Sequence, residues 1–314
     1  MAGKGSIGGS KTTIGGVIFA IIVGALYLGN GGAIELEEQG EEKEEQIVQE
    51  DNGKDKFFGL VDYLPTLTEG KIKIEHDNYT LSYSDEHKQP EWVAYELNRD
   101  KVENVVASRG HLGFSADPNL PDWVEPVVSN DYTNSGYDRG HLLPAQDMAS
   151  DPMAMKETFY MTNVSPQDKD FNRGIWKSLE MQVREWAQAF DNIYVITGPV
   201  LTRRAKRRFP KSKKSIPVPH SYYKIILDFH GSDIKAIAFL MKNEESDYPL
   251  ISFATTIDDI EAETGIDFFP KLPDHLEAEL ESEVDIASWA LTRDAYSVNL
   301  DSMWSEVDGT NELD

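Results

Sequence analysis

The chain has 314 residues, of which 40% are hydrophobic and 10% aromatic, so it can bury a sizeable core and is not a disordered protein. It contains no cysteine, which excludes disulfide bonds, thiol nucleophiles and cysteine-based zinc sites. The formal net charge of −25 opposes a polyanionic ligand, but residues 35–51 carry −8 and residues 275–314 carry −10. With Lys4 and Lys11 counted, the middle of the chain carries only −9.

The N-terminus has the pattern of a targeting segment. Lys4 and Lys11 precede an uncharged apolar run at residues 14–28, and positive charge before such a run predicts export of the chain beyond it. The run is short for a spanning helix, which needs about 20 apolar residues. A cleaved signal, which would give a secreted protein, therefore stays open. Because no small-x-small cleavage site comes directly after the run, we predict a signal anchor over 1–33 and an extracytoplasmic location, periplasmic or at the cell surface.

An acidic linker is predicted over 34–56, and a folded domain begins near residue 57. Alternating apolar residues at 72–74 and 79–83 predict a hairpin of half-buried strands, with the turn at 77–78. Four further apolar runs are predicted to be buried strands, namely residues 159–161, 192–196, 222–229 and 234–241.

One amphipathic helix is predicted over residues 173–190. Its apolar residues recur at spacings of three and four, at Ile175, Leu179, Val183, Trp186 and Phe190. Strands and helices alternate irregularly, without a repeating βαβ unit or a Gly-rich phosphate loop. This pattern predicts an α+β domain with a mostly antiparallel central sheet flanked by helices.

The residues that could carry chemistry lie in two segments, 137–141 and 163–180. In the first, His141 follows Arg139 and a glycine. A cation and a bare backbone beside a potential base are what an approaching phosphate requires. Taken alone, however, a histidine is more often a satisfied polar residue than a catalyst.

The second segment places two polar side chains near the start of the predicted helix. Asn172 could be a helix N-cap. Glu180 lies eight residues further, about two turns along, and so on roughly the same face. Its alternative interpretation is an ordinary solvated glutamate.

Together the two segments resemble the signature of the DNA/RNA non-specific endonuclease family, the His-Me-finger or ββα-metal enzymes. The resemblance rests on Asp-Arg-Gly-His at 138–141 and on the spacing of Asn163, Gln167, Asn172, Trp176 and Glu180. Residues 89–97, 198–199 and 264–270 also look like family segments. The resemblance thus covers roughly residues 70–273, and it implies a nuclease domain over 57–274, followed by an acidic C-terminal extension over 275–314.

The resemblance also implies the role of each site residue. His141 would be the general base, and Asn172 the direct ligand of Mg²⁺, for which Mn²⁺ could substitute. Arg139 would stabilise phosphate charge, and Glu180 would hold a metal-bound water. Asn163, placed with the catalytic set, would orient the loop backbone rather than touch the metal.

Substrate contacts are expected from arginines and lysines. Arg109 and Arg173 are candidates near the motif, although the loop around Arg109 matches the family pattern poorly. Residues 203–214 hold eight cations and no acid. Five of them are candidate phosphate contacts, namely Arg203, Arg204, Lys206, Arg207 and Arg208. The alternative is a loop that aids solubility or pairs with the acidic tail.

The leading functional hypothesis is a metal-dependent endonuclease that hydrolyses phosphodiester bonds of DNA and RNA without sequence preference. A catalytically retired nuclease fold that binds nucleic acid or acts at a surface is the alternative, and a phosphodiesterase for a small molecule or lipid is a third. The expected partners are DNA, RNA and, through the anchor, a membrane. Nothing in the sequence indicates an oligomer.

Overall fold

The computed structural model describes residues 63–201, 207–209, 214–229 and 234–291. Within them, a seven-stranded sheet has the order β1-β2-β3-β6-β9-β10-β11 and is antiparallel throughout. Its strands are β1 (Ile72–Glu75), β2 (Tyr79–Ser84), β3 (Gln89–Asn98), β6 (Asn192–Pro199), β9 (Ser221–Asp228), β10 (Lys235–Lys242) and β11 (Ala254–Thr255). The predicted anchor, linker and turn at 231–232 lie outside the described residues.

Four short strands form two separate ribbons, each antiparallel. They are β4 (Asp138–His141) with β5 (Val164–Gln167), and β7 (Arg207–Arg208) with β8 (Pro217–Val218). The described helices are α1 (Arg99–Glu103), α2 (Pro152–Glu157), α3 (Lys169–Arg173), α4 (Ile175–Phe190), α5 (Ile257–Thr264) and α6 (Asp274–Ser282). This architecture confirms the predicted α+β class with a mostly antiparallel sheet.

The sheet has an apolar core on each face, because its central strands are buried on both sides. On β9, Tyr222 and Ile226 belong to the core that also contains Leu179 of α4, whereas Ile225 belongs to the opposite core with Ile260 of α5. The predicted hairpin of β1 and β2 is present. However, every residue of β2 is buried, so this strand is not half-buried as its alternation indicated.

The predicted helix over 173–190 is interrupted at Gly174. The backbone N–H of Gly174 donates to the carbonyl of Asp170 and closes α3, and α4 begins at Ile175. A side chain at position 174 would collide with that same carbonyl oxygen. Asn172 therefore lies at the end of a short helix and is not an N-cap, the alternative interpretation of this residue; Asp168 caps α3 instead.

The predicted strand at 159–161 is wrong. Phe159 and Met161 are buried as expected, but the segment consists of a turn and one turn of 3₁₀ helix. A short apolar run does not distinguish a buried strand from a buried turn. Here Ser115 forms a single bridge with Tyr160, and no strand continues the pairing.

Part of the acidic C-terminal extension packs on the domain. Trp289 is fully buried, and its backbone carbonyl accepts a hydrogen bond from the indole of Trp186 at 2.9 Å. The two indole rings also meet edge to face, with their centroids 4.9 Å apart. The extension therefore contributes to the core on the α4 face at least as far as Leu291.

Candidate active site

The two chemistry-bearing segments are brought together by strand pairing. In the β4-β5 ribbon, Asp138 is opposite Gln167 and His141 is opposite Val164. Residues of α3 follow directly after β5, so Asn172 is carried back beside β4. The result is two antiparallel strands followed by a helix, the ββα arrangement that the family resemblance implied.

His141 lies in an aromatic setting. The centroid of its ring is 5.0 Å from that of Phe114 and 4.9 Å from that of Phe159. Its Nε2 is buried without a hydrogen-bond partner among the described residues. Burial, and secondarily the positive charge of Arg109, lower the pKa of His141 to about 3. The imidazole is therefore neutral at neutral pH and able to accept a proton.

Asn172 is oriented by the aspartate of the Asp-Arg-Gly-His motif. The Nδ2 of Asn172 donates to Oδ2 of Asp138 at 3.1 Å. The same carboxylate accepts two bonds from the guanidinium of Arg173, at 2.9 and 3.1 Å. In the described part of the chain, the amide oxygen of Asn172 accepts no hydrogen bond, so it is available as a ligand.

Arg173 is thus engaged with Asp138 rather than held free for substrate. Two more of the predicted arginines, Arg139 and Arg109, lie beside His141. The guanidinium of Arg139 donates to the carbonyl of Ser129 at 2.8 and 3.2 Å and lies 5.8 Å from the ring of Phe114. Arg109 is exposed and lies 5.4 Å from the ring of Phe159. Both cations therefore flank the two rings that enclose the imidazole.

Glu180 faces a buried lysine that the sequence did not single out. Lys224 of β9 is fully buried, and its Nζ makes no hydrogen bond within the described residues. Burial raises the pKa of Glu180 to about 7, which the positive charges of Lys224 and Arg184 oppose. Burial likewise lowers the pKa of Lys224 to about 8, which Glu180 and Asp147 oppose. Each of the two groups therefore favours the charged form of the other.

Further charged and polar groups surround Glu180 and Lys224. Arg184 pairs with Asp147 at 2.8 Å, and the hydroxyl of Tyr95 donates to the same carboxylate at 2.9 Å. The Nζ of Lys224 also lies 4.9 Å from the ring of Trp176. A lone lysine inside the apolar run at 222–229 was the signal in the sequence, because a buried charge needs a partner.

Asn163 and Gln167 differ in their contacts. The side chain of Asn163 is fully buried and bonds the backbone N–H and carbonyl of Leu143 and the carbonyl of Thr158, at 2.8 to 2.9 Å. It therefore shapes the loop after β4. Gln167 is also fully buried, and its amide has no hydrogen-bond partner among the described residues. It packs over Gly140, where a Cβ would overlap it.

Most of the basic run at 203–214 lies outside the described residues, including Arg203, Arg204 and Lys206 and the side chain of Arg207. Arg208 donates to the carbonyl of Ser215 at 3.1 Å. Phe209 meets Tyr132 edge to face, with centroids 4.9 Å apart. Tyr132 in turn lies 5.9 Å from the guanidinium of Arg139. The middle of the basic run, at Phe209, is therefore packed next to the candidate site.

The known proteins to which this chain is similar are nucleases. A family model described as DNA/RNA non-specific endonuclease matches residues 63–275. The human "Nuclease EXOG, mitochondrial" is 31% identical over 277 residues, covering 84% of this chain and 74% of that protein. "Nuclease C1" of Cunninghamella echinulata var. echinulata is 33% identical over 210 residues, covering 63% and 83%. A solved structure of the EndoG/EndoGI complex aligns with a TM-score of 0.60 at 28% identity, covering 68% of this chain and 91% of that one.

The predicted location is wrong. The sequence predicts an extracytoplasmic protein held by an N-terminal anchor, whereas the similar human nuclease is named as mitochondrial. The prediction rested on an apolar run shorter than the about 20 residues that a span requires, and residues 1–33 lie outside the described residues. Among the helices that the structure describes, none has the length and hydropathy of a membrane span.

Proposed function

The chain belongs to the DNA/RNA non-specific endonuclease family, and we propose that it cleaves both polymers with one Mg²⁺ ion held by Asn172 and with His141 as general base. The observation that carries this proposal is the hydrogen bond from the Nδ2 of Asn172 to Asp138. This bond fixes the orientation of the amide, so that its oxygen, Oδ1, is free to bind a metal ion.

The donor chemistry fits magnesium. Mg²⁺ prefers hard oxygen ligands, keeps several waters and tolerates few protein ligands. A neutral amide leaves the full charge of the ion for the substrate, whereas an aspartate at position 172 would cancel part of it. When bound, the ion supplies positive charge that stabilises the pentacovalent phosphorane and the leaving oxygen. We expect Mn²⁺ to substitute.

His141 takes a proton from the water that attacks phosphorus. The bond between phosphorus and the 3′ oxygen breaks, the departing oxygen takes a proton from water, and His141 returns its proton to solvent. The products are a 5′-phosphate and a 3′-hydroxyl. The low pKa of His141 describes the site without substrate. A bound phosphate is an anion, which favours the protonated imidazole and so raises its pKa during the reaction. Arg139 and Arg109 are the cations that would hold that phosphate beside the ring.

Glu180 holds a water molecule near Asn172 and must be ionised to accept its hydrogen bonds. Its burial opposes ionisation, whereas the charges of Lys224 and Arg184 favour it, and the resulting pKa is about 7. Asn163 acts as a positioning residue through the loop after β4. For Arg173, the bidentate pair with Asp138 favours a positioning role over direct contact with substrate.

The basic run at 203–214 is proposed to capture the phosphate backbone. A negatively charged chain needs a local region of opposite sign to attract a polyanion, and this run is the densest one in the sequence. Its attachment beside Tyr132, at the edge of the site, supports that role. The five candidates are Arg203, Arg204, Lys206, Arg207 and Arg208.

A cleavage assay tests the proposal. Supercoiled plasmid and single-stranded RNA are incubated with purified protein in EDTA, Mg²⁺ or Mn²⁺. We expect both polymers to be cut only with metal, and His141→Asn to lose about 10²–10⁴-fold in rate. His111→Asn is the matched control, because His111 is exposed. A wild-type protein that binds DNA without cutting it would favour the retired-nuclease alternative, and undiminished cutting by His141→Asn would remove the general base.

Asn172→Ala separates the metal from the base. This variant loses the proposed direct ligand, so we expect a higher Mg²⁺ concentration for half-maximal rate as well as slower cleavage. His141→Asn should keep the wild-type Mg²⁺ requirement. An Asn172→Ala protein with an unchanged Mg²⁺ titration would contradict the assignment of this residue as the ligand.

A further inference from the structure

A second group of carboxylates lies on the opposite face of the sheet from α4. Asp258 and Glu261 are three residues apart on α5, and Glu281 is on α6. One carboxylate oxygen from each of them lies within 4.8 Å of the other two. Asp258 is exposed and Glu261 half-buried, so the group opens to solvent on one side.

Glu281 is the residue that needs an explanation. It is only 7% exposed, and its Oε1 is buried without a hydrogen-bond partner in the described part of the chain. A buried carboxylate without a partner is costly, and buried charges are usually paired or bind metals. Glu261 differs, because one of its oxygens already accepts the backbone N–H of Phe268 at 2.7 Å.

The surroundings add negative charge. Burial, and after it the negative charges of Glu261, Glu277, Asp258 and Asp267, together raise the pKa of Glu281 to about 8. Among the described residues, the charged groups with the largest effect on Glu281 are thus all carboxylates. These carboxylates repel one another, so a proton or an external cation would stabilise the cluster.

We propose that Asp258, Glu261 and Glu281 bind one Ca²⁺ ion that ties α6 to α5. Calcium takes oxygen ligands at about 2.3–2.6 Å, so two ligands on opposite sides of the ion are about 5 Å apart. The spacing of these carboxylates suits that sphere. Magnesium is less suited, because it retains most of its waters and usually binds only one or two carboxylates.

This site is separate from the proposed catalytic one. The residues of α5 and α6 pack in the core that contains Ile225, whereas α4 packs in the core that contains Ile226, on the other face of β9. Glu281 also lies beyond residues 63–275, which the family model matches. The proposed ion would stabilise the C-terminal region and take no part in cleavage.

Thermal unfolding tests the proposal. The full chain is stripped with EDTA and its Tm is followed at pH 7.5 as CaCl₂ is added. We expect Ca²⁺ to raise the Tm by about 2–8 °C in the parent protein, and to have no such effect in Glu281→Gln. Glu279→Gln is the matched control, because it removes an exposed charge from the same helix and should keep the full response.

Two further measurements keep the proposal open to refutation. Asp258→Asn changes only an exposed ligand, so it should fold and should weaken Ca²⁺ binding at least tenfold by calorimetry. Cleavage with Mg²⁺ should be unchanged in Glu281→Gln. An equal Ca²⁺ response in the parent and Glu281→Gln would overturn the site, as would a parent that does not respond.

The alternative occupant is a proton. A pKa raised above the unfolded value means that the folded state holds a proton that the unfolded state releases. Stability would then fall as pH rises from about 4.5 to about 8. Bound Ca²⁺ should remove that loss, because it stabilises the ionised form. A loss of stability over this range that saturating CaCl₂ leaves unchanged would assign the cluster to protonation and overturn the calcium site.

Discussion

Replacing Lys224 by Met removes the buried cation that faces Glu180. Methionine has a similar length and no charge, so the space within the sheet stays filled. The charges that act on Lys224 among the described residues come from Glu180, Asp147 and Arg184. Because Arg184 is already paired with Asp147 at 2.8 Å, we expect Glu180 to be the group that responds.

The size of the effect depends on the pKa of Glu180, which is about 7 in the wild-type site. An opposite charge nearby typically lowers the pKa of a carboxyl by about 1–3 units, so removing Lys224 should raise it by that amount. At pH 7.5 the ionised fraction then falls by about threefold to a few hundredfold. If Glu180 must be ionised to hold its water, the rate falls by the same factor and returns at higher pH.

The assay is kcat/KM on a short DNA duplex between pH 5.5 and 10 at saturating Mg²⁺. We expect the acidic limb of the profile to move upward in Lys224→Met and to stay in place in the control Lys242→Met, which changes an exposed lysine of the neighbouring strand. When Glu180 is also changed to Gln, the variants with Lys and with Met at position 224 should have the same pH profile. A uniform loss of activity with no shift of the limb would refute the electrostatic role and leave only a packing role for Lys224.

Four further outcomes are expected. Between about pH 6.5 and 3, only the unfolded state takes up a proton on His141, because burial lowers the pKa of this residue in the folded state. In urea unfolding, the free energy of unfolding of the wild-type protein should therefore fall relative to that of His141→Asn, by up to about 1.4 kcal/mol for each pH unit below about 6.5. Asp138→Asn should raise the Mg²⁺ concentration for half-maximal cleavage by freeing Asn172, and an unchanged titration would contradict this. Gly198→Ala should lower the free energy of unfolding by about 1–3 kcal/mol, because its Cβ would overlap the carbonyl of Glu91. A variant with five cations of the basic run changed to Gln should have a higher KM at low salt, a flatter dependence of KM on salt, and little change in kcat. A fall in kcat alone would instead place one of these cations at the scissile phosphate. The five are Arg203, Arg204, Lys206, Arg207 and Arg208.

The sequence predicted those parts of the fold that depend on local pattern. The long helix α4 was visible because its apolar residues recur on one face, and β6, β9 and β10 because they are continuous apolar runs. The helix start was misplaced by two residues, because the break at Gly174 depends on a backbone conformation in which a Cβ would collide with the carbonyl of Asp170. The turn at 159–161 was missed because it is as apolar as a strand. Its shape depends on Asn163 and on pairing with Ser115.

The residues of the site likewise fall into those that a local sequence pattern identifies and those that only the fold brings together. The motif residues His141 and Asn172 are recognisable in the sequence because they lie in short segments with fixed spacing. The groups that set their chemistry are distant in sequence: Phe114 encloses the imidazole, and Lys224 controls Glu180. Nothing in the local pattern around position 224 states which acid it faces, because that pairing exists only once β9 lies beside α4.

Net charge was a poor guide to the ligand for a related reason. The total of −25 counts the acidic flanks and the carboxylates around Glu281 together with the active site. Close to His141 the local charge is positive. Arg109 and Arg139 flank the rings around the imidazole, and the negative charge of Asp138 is neutralised by Arg173. Screening limits the reach of distant exposed charges to about 8–10 Å at physiological salt. A phosphate beside His141 would therefore meet mainly the two arginines, and the acidic flanks would slow its approach more than they weaken its binding.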